Sequence, residues 1–353
     1  MNIELRINGS APAWPALLEH TSAFYDPADS ANLGSASYSI TGFSDEKKTS
    51  MEWDILIDAG HNTVPFLIKH GNRIPDAVFL THAHPDHILG VDWIVQSHRF
   101  KHKASGKKMP VYCTQGAWNM LMVTYSYLQP YVQFKELIPG QKQCIDEASG
   151  MYVTPYPVFH GKSALGASML YFETPSPMAA DLLITGDILC PLLRKRDISR
   201  ISKAGVLLID TNNRFPLPDS NHISFTGSSE PGEKINHILS KWFDRVSVPD
   251  LVQAHVTGNE NKQVRSYFDE LISDWQTSNE IPHTILDFLS MIPVPEVYLV
   301  HYWGVYDEIH YNAPILNAGR LQEWARNEAV EYGLSNVQIY IPKPGDCVTL
   351  QKN

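Results

Sequence analysis

The segment Thr81-His82-Ala83-His84-Pro85-Asp86-His87 limits what this chain can fold into more than any other feature of it. Within it, positions 82, 84, 86 and 87 carry side chains able to hold a metal ion. They follow Val78-Phe79-Leu80, a short apolar run that reads as a strand buried on both faces. Side-chain direction repeats every second residue along a strand, so His82 and His84 can point the same way. Asp86 and His87 come at the turn into a helix expected over Ile88 to Gln96. There they can face a second ion about 3.5–4 Å from the first, as two-metal sites require. A strand end, a turn and further ligands must therefore meet in one place.

Other short apolar runs of the chain end in the same way at polar or ligand-type residues. Ile55-Leu56-Ile57 runs into Asp58, Leu182-Leu183-Ile184 into Thr185-Gly186-Asp187, Val206-Leu207-Leu208-Ile209 into Asp210, and Val297-Tyr298-Leu299-Val300 into His301. His160 follows Tyr156-Pro157-Val158-Phe159, a stretch expected to be extended. Gly186 lets the backbone turn tightly, and a carboxylate at Asp187 can bridge two ions. This is an α/β pattern with the reactive groups where strands run out into loops. His255 and His310 compete with His301 for the last ligand position. His301 is preferred because the apolar run before it matches the one before His82.

From about 228 to 291 the rhythm changes to helix. Ile235, Ile238, Leu239, Trp242 and Phe243 share one helical face, and Val264, Phe268, Leu271, Ile272 and Trp275 share another. These stripes are expected to be core or dimer contacts. Lying between His222 and His301, the stretch could also serve as a lid or a substrate-facing insert. The 353 residues are read as one domain, 1–353, carrying this insertion.

Charge and cysteines narrow the function. A formal net charge of −10 and a pI near 5.8 argue against a nucleic-acid partner, which needs a basic footprint. They leave room for a small anionic substrate held by metal ions. The basic run from Arg99 to Lys108 is expected to be a solvated face. Cys113, Cys144, Cys190 and Cys347 are far apart and read as free thiols of a reducing compartment. The first residues lack the apolar core of a leader peptide, and no apolar run is long enough to span a membrane. A cytoplasmic enzyme is expected.

The order of these residues resembles the metallo-β-lactamase superfamily over most of the chain. The resemblance implies a four-layer αββα sandwich with a helical insertion, and two divalent metal ions. Zinc suits the donor set, as do manganese and iron. His82, His84 and His160 would hold one ion, Asp86, His87 and His301 the other, and Asp187 would bridge them. Asp58 matches the aspartate that orients the metal-binding loop. Leu5-Arg6-Ile7-Asn8-Gly9-Ser10-Ala11-Pro12 is similar to the opening of the phosphodiesterase and ribonuclease Z branch. The stretch Leu207-Leu208-Ile209-Asp210, followed by Asn221-His222-Ile223-Ser224, is similar to the cyclic phosphodiesterases of the carbon–phosphorus lyase pathway. That branch also carries a cysteine-rich zinc site, and no cysteine here precedes Cys113.

The implied reaction is hydrolysis of a small, possibly cyclic, phosphodiester by a metal-bridging hydroxide. His222 would protonate the leaving oxygen, and Asp86 would take part at the reacting centre. A thioesterase or lactonase would use the same metal site without needing His222. A ribonuclease Z-type endonuclease and a non-catalytic binding protein are the remaining alternatives. Superfamily phosphodiesterases often pair, so the resemblance leaves room for a homodimer without fixing the oligomeric state.

Overall fold

The computed structural model describes residues 2–14, 34–45, 47–146, 150–175, 178–217, 220–227, 248–277 and 282–351. Two sheets face each other. The first contains β1 (Asn2–Gly9), β2 (Ser37–Phe43), β3 (Met51–Ile57), β4 (Ala77–Phe79), β5 (Met109–Cys113), β6 (Val132–Glu136) and β15 (Cys347–Thr349), in the order β15-β1-β2-β3-β4-β5-β6. The second contains β7 (Gln143–Asp146), β8 (Met151–Phe159), β9 (Ser168–Glu173), β10 (Asp181–Ile184), β11 (Cys190–Pro191), β12 (Ala204–Asp210), β13 (Glu296–Val300) and β14 (Gln338–Tyr340). Its order is β11-β8-β9-β10-β12-β13-β14, with β7 paired to β8.

Alternation along the strands builds the layers. Ile55 and Ile57 of β3 and Leu182 and Ile184 of β10 lie in the core between the sheets. Leu56, Val78 and Val111 face outward onto α1 (Thr63–Lys69), α3 (Val91–Lys101) and α4 (Gln115–Tyr125). Leu183, Leu207 and Ile209 face the other way, onto α8 (Ile285–Met291) and α10 (Ala318–Glu331). The result is the expected αββα sandwich.

Strand direction then decides where chemistry can gather. β3 and β4 are parallel, as are β10, β12 and β13. β8 is antiparallel to β9, and β9 to β10, so β8 points the same way as β10. The groups that follow β3, β4, β8, β10 and β13, and the last residue of β12, are therefore strand-end groups. Loops leaving the carboxyl ends of parallel strands are where such folds place their sites.

One helix differs from expectation. Instead of running from Ile88 to Gln96, the chain forms a single turn, α2 (Pro85–Ile88), breaks at Leu89-Gly90, and restarts as α3. The break has a cause: Ala59 N donates to His87 O at 2.7 Å and Gly90 N to Ala59 O at 2.7 Å. The motif turn is laced to the loop after β3. Gly60 sits so close that a side chain there would put its Cβ 1.9 Å from Asp86 O.

Of the helical stretch, Ile235, Ile238, Leu239, Trp242 and Phe243 lie outside the described residues. The described part forms α6 (Val248–Val256), α7 (Lys262–Thr277) and α8. Val264, Phe268 and Leu271 of α7 pack with Phe159 and Leu192, so this stripe is a core contact. Tyr267 adds a hydrogen bond from its hydroxyl to Leu192 O at 2.9 Å. No helix among the described residues is long and apolar enough to cross a membrane.

Candidate metal centre

Asp58 leaves β3 with a φ of 54°, a left-handed conformation that turns its carboxylate under the motif loop. It is fully buried. Oδ1 accepts from Thr81 N at 2.8 Å, and Oδ2 accepts from Thr81 Oγ1 at 2.7 Å and from His87 Nδ1 at 2.8 Å. Because Thr81 Oγ1 gives its proton to Asp58, it receives one from His82 Nδ1, 3.1 Å away. His160 Nδ1 donates to Asn221 O at 2.8 Å. In each case the outer ring nitrogen is committed to a protein acceptor and Nε2 is turned to the centre, where that of His160 also accepts from Asn221 Nδ2 at 3.3 Å. His84 differs: its Nε2 lies 3.2 Å from Ser163 Oγ, which leaves Nδ1 as its other donor.

The inner atoms converge on Asp187. Gly186, with φ 58°, brings the chain against Thr81, where a Cβ would fall 2.6 Å from Thr81 Cβ. Asp187 Oδ1 lies 3.2 Å from His87 Nε2 and 3.6 Å from His301 Nε2. Oδ2 lies 3.4 Å from His160 Nε2 and 3.9 Å from His82 Nε2. Asp86 Oδ2 is 3.3 Å from His301 Nε2 and 3.4 Å from His87 Nε2. Two donor groups carry the motif residues, His82 with His84 and His160, and Asp86 with His87, Asp187 and His301; Asp187 and His301 form a third with Asp210 and His222, and in each the ligand atoms lie within 4.8 Å of one another.

His301 also leaves its strand in a left-handed conformation, φ 68°, and its N donates to Ser10 O at 2.7 Å. The rival histidines are elsewhere. His255 is buried under α7, where Nε2 donates to Val158 O at 2.9 Å and the ring lies against Phe268. His310 belongs to α9 (Val305–Tyr311), outside both donor groups.

The field of the site calls for positive charge. Burial would raise the carboxyls of Asp86 and Asp187, but His87 and His301 outweigh it and hold both well below the usual carboxylate range. Burial would equally lower His87 and His301; the surrounding aspartates reverse that, holding His87 well above its ordinary value and pushing His301 up to about 10. His82, His84 and His160 are held neutral, first by burial, with His160 pushed down to about 3. Neutral imidazole is the form that binds a metal.

A divalent ion fits these residues. His82 Nε2 is buried and makes no hydrogen bond among the described residues, which leaves its lone pair aimed at the centre. An unpaired buried acceptor is costly, and a cation is the partner that imidazole and carboxylate together prefer.

Asp210 was not among the groups expected at the site. It ends β12, accepts from Ile188 N at 3.2 Å and Asn212 N at 3.1 Å, and receives His222 Nδ1 at 2.6 Å. Its sequence signal was available: an acid closing an apolar run, just as Asp58 and Asp187 do. His222 reaches the centre as expected, with its ring centroid 4.7 Å from that of His160 and 5.3 Å from that of His301. Above them opens a cleft of about 370 Å³, walled by His84, Asp86, His160, Asp187, His222 and His301 together with loop residues. Neither the basic run at 99–108 nor the described part of the helical stretch lines it.

Residues 54–171 match the Beta-lactamase superfamily domain. No curated protein matches the sequence. Among solved structures, a diphosphatase from the PhnP family aligns over 99% of this chain and 100% of its own, with a TM-score of 0.58 and 14% identity. Zn(2+)-bound PqqB from Methylobacterium extorquens aligns over 98% and 100%, with a TM-score of 0.54 and 13% identity. The short form of human tRNase Z aligns over 99% and 100%, with a TM-score of 0.51 and 12% identity. At such identities the likeness is one of fold.

Proposed function

We propose that this chain is a metal-dependent hydrolase of the metallo-β-lactamase superfamily and that it cleaves a small phosphodiester at a centre of two divalent ions. One ion would be held by His82, His84 and His160, the other by Asp86, His87 and His301, with Asp187 shared. Zinc suits this donor set, as do manganese and iron. When bound, such ions supply Lewis acidity and lower the pKa of a coordinated water.

The observation that carries the reading is the pair His222–Asp210. Asp210 Oδ2 holds His222 Nδ1 at 2.6 Å and fixes the ring against the donor cluster on the cleft wall. The Nδ1 proton is committed to Asp210, so Nε2 is the position from which His222 gives a proton to a departing oxygen. Asp210 itself is anchored by the backbone amides of Ile188 and Asn212, which keeps the pair from drifting. An alkoxide leaving group needs such an acid far more than a thiolate does, and this supports a phosphodiester over a thioester. That a PhnP-family diphosphatase and a tRNase Z share the fold supports phosphoester chemistry as well. Among the described residues no lysine or arginine lines the cleft, which favours a small substrate over a nucleic-acid chain.

The test is turnover of a chromogenic phosphodiester by metal-loaded protein, beside a thioester and a lactone, with Asp187→Ala as the blank. Metal-dependent cleavage of the diester alone supports the reading. Thioester or lactone turnover without diester cleavage overturns it and reduces His222 to a loop residue.

A further inference from the structure

We propose that the cleft selects esters carrying a planar aromatic group beside the scissile bond, and that Trp14, Trp303 and Tyr306 form the surface that receives it. The inference rests on the phosphodiester reading only for the kind of ester involved.

Trp303 follows His301 by two residues, so its ring stands next to the donor cluster; Trp14 and Tyr306 flank it on the same cleft wall. The Trp14 and Trp303 centroids are 6.4 Å apart at 64°, and those of Trp303 and Tyr306 are 4.6 Å apart at 85°. Trp303 is buried, whereas Trp14 is 61% exposed and Tyr306 36% exposed. Large rings are thus left facing water beside a cluster of imidazoles and carboxylates. Single exposed rings are ordinary on a protein surface, but three in contact at the mouth of a reaction cleft are a stacking platform.

Two members of the platform stand on an anchored frame. Trp303 N donates to Asn212 O at 3.1 Å. Asp307, next to Tyr306 and fully buried, accepts from Arg214 N at 3.1 Å, Arg214 Nε at 3.0 Å and Phe215 N at 3.3 Å. Trp303 and the turn that carries Tyr306 are therefore fixed to the same stretch that ends β12 with Asp210, and Trp14 rests edge-on against Trp303. A surface held in place loses little entropy when a ring stacks on it.

Charge and size select among substrates. Among the described residues no lysine or arginine lines the cleft, so none of them would meet a second phosphate. A volume of about 370 Å³ is at the small end of ligand pockets, which span about 300–1,000 Å³. A compact monoester or diester with one flat ring, an aryl group or a nucleobase, matches both.

The experiment compares phenyl phosphate with methyl phosphate on metal-loaded protein, by calorimetry and by quenching of tryptophan emission. Phenyl phosphate should bind about tenfold tighter, the scale of one stacked ring. Trp14→Ala and Tyr306→Ala, both at exposed positions and so compatible with folding, should each lower that preference several-fold. Equal affinity for the two phosphates, or a preference that survives both substitutions, overturns the proposal. So does tighter binding of choline phosphate than of phenyl phosphate, which would make the rings a receptor for a cation. A kept preference for phenyl phosphate in a protein that cleaves no diester would sustain this inference while removing the phosphodiester reading.

Discussion

Asp58 Oδ2 lies 2.8 Å from His87 Nδ1, and the same oxygen takes the Thr81 hydroxyl that in turn receives His82 Nδ1. His82 and His87 belong to different donor groups. One buried acid, itself outside both groups, therefore sets the rings of a histidine in each.

Replacing Asp58 by Asn tests this without disturbing the backbone, because Asn tolerates the left-handed φ of 54° found there. The amide cannot accept from both histidine and threonine as a carboxylate does. Metal affinity should fall about 10- to 100-fold, measured by competition with a chromogenic chelator, with the fold retained. Unchanged affinity would show that the rings are held without Asp58.

His222→Ala should keep its metal content and lose about 10²- to 10⁴-fold in kcat on a diester with a poor leaving group. The loss should shrink as the leaving group becomes more acidic. Asp210→Asn should act in the same direction to a smaller extent, since it frees the ring without removing it. A His222→Ala enzyme as fast as wild type on an alkyl diester would end the proton-donor assignment.

Metal binding should expel protons. In the metal-free protein His87 is held well above its ordinary value and His301 is pushed up to about 10, so both carry a proton at neutral pH. Apparent affinity should then rise with pH. Calorimetric titrations in two buffers of unlike ionisation enthalpy measure the release directly; heats independent of buffer would contradict it. The same raised value makes the metal-free fold gain stability from His301 below pH about 6.5, a gain lost as pH climbs through about 10.

His255 should make the protein acid-sensitive. Burial pushes it down to about 4 from an ordinary 6.5. At high pH it is neutral folded or unfolded and contributes no pH dependence. Below about 6.5 the unfolded chain takes up a proton first, so stability falls until about pH 4, by about 3 kcal/mol in all. His255→Gln should flatten that limb of a denaturation curve taken between pH 7 and 4. A curve as steep as that of the wild type would place the acid sensitivity elsewhere.

Much of the centre is legible because several donors lie just past short apolar runs, which read as core strands. His82, Asp187 and His301 are found by that rule, and Asp210 obeys it equally. What the rule misses depends on contacts between distant segments. The break at Leu89-Gly90 comes from hydrogen bonds to Ala59, which helical periodicity cannot register. Trp14, Trp303 and Tyr306 come from a loop before the second strand, a loop after β13 and the first turn of α9. Nothing in their spacing announces that they meet. Ser163 and Asn221, which turn His84 and His160, are ordinary loop residues until the histidines are in place.

The donors are also spread along the chain in a telling way. His82 to His87 leave the first sheet, while His160, Asp187 and His301 leave the second, the last of them after β13. A nascent chain that stops short of residue 301 can fold much of both sheets but can never close the centre. The second donor group thus forms only once the chain has passed residue 301 and the two sheets have met, so a probe of that group would pass over chains that stop earlier.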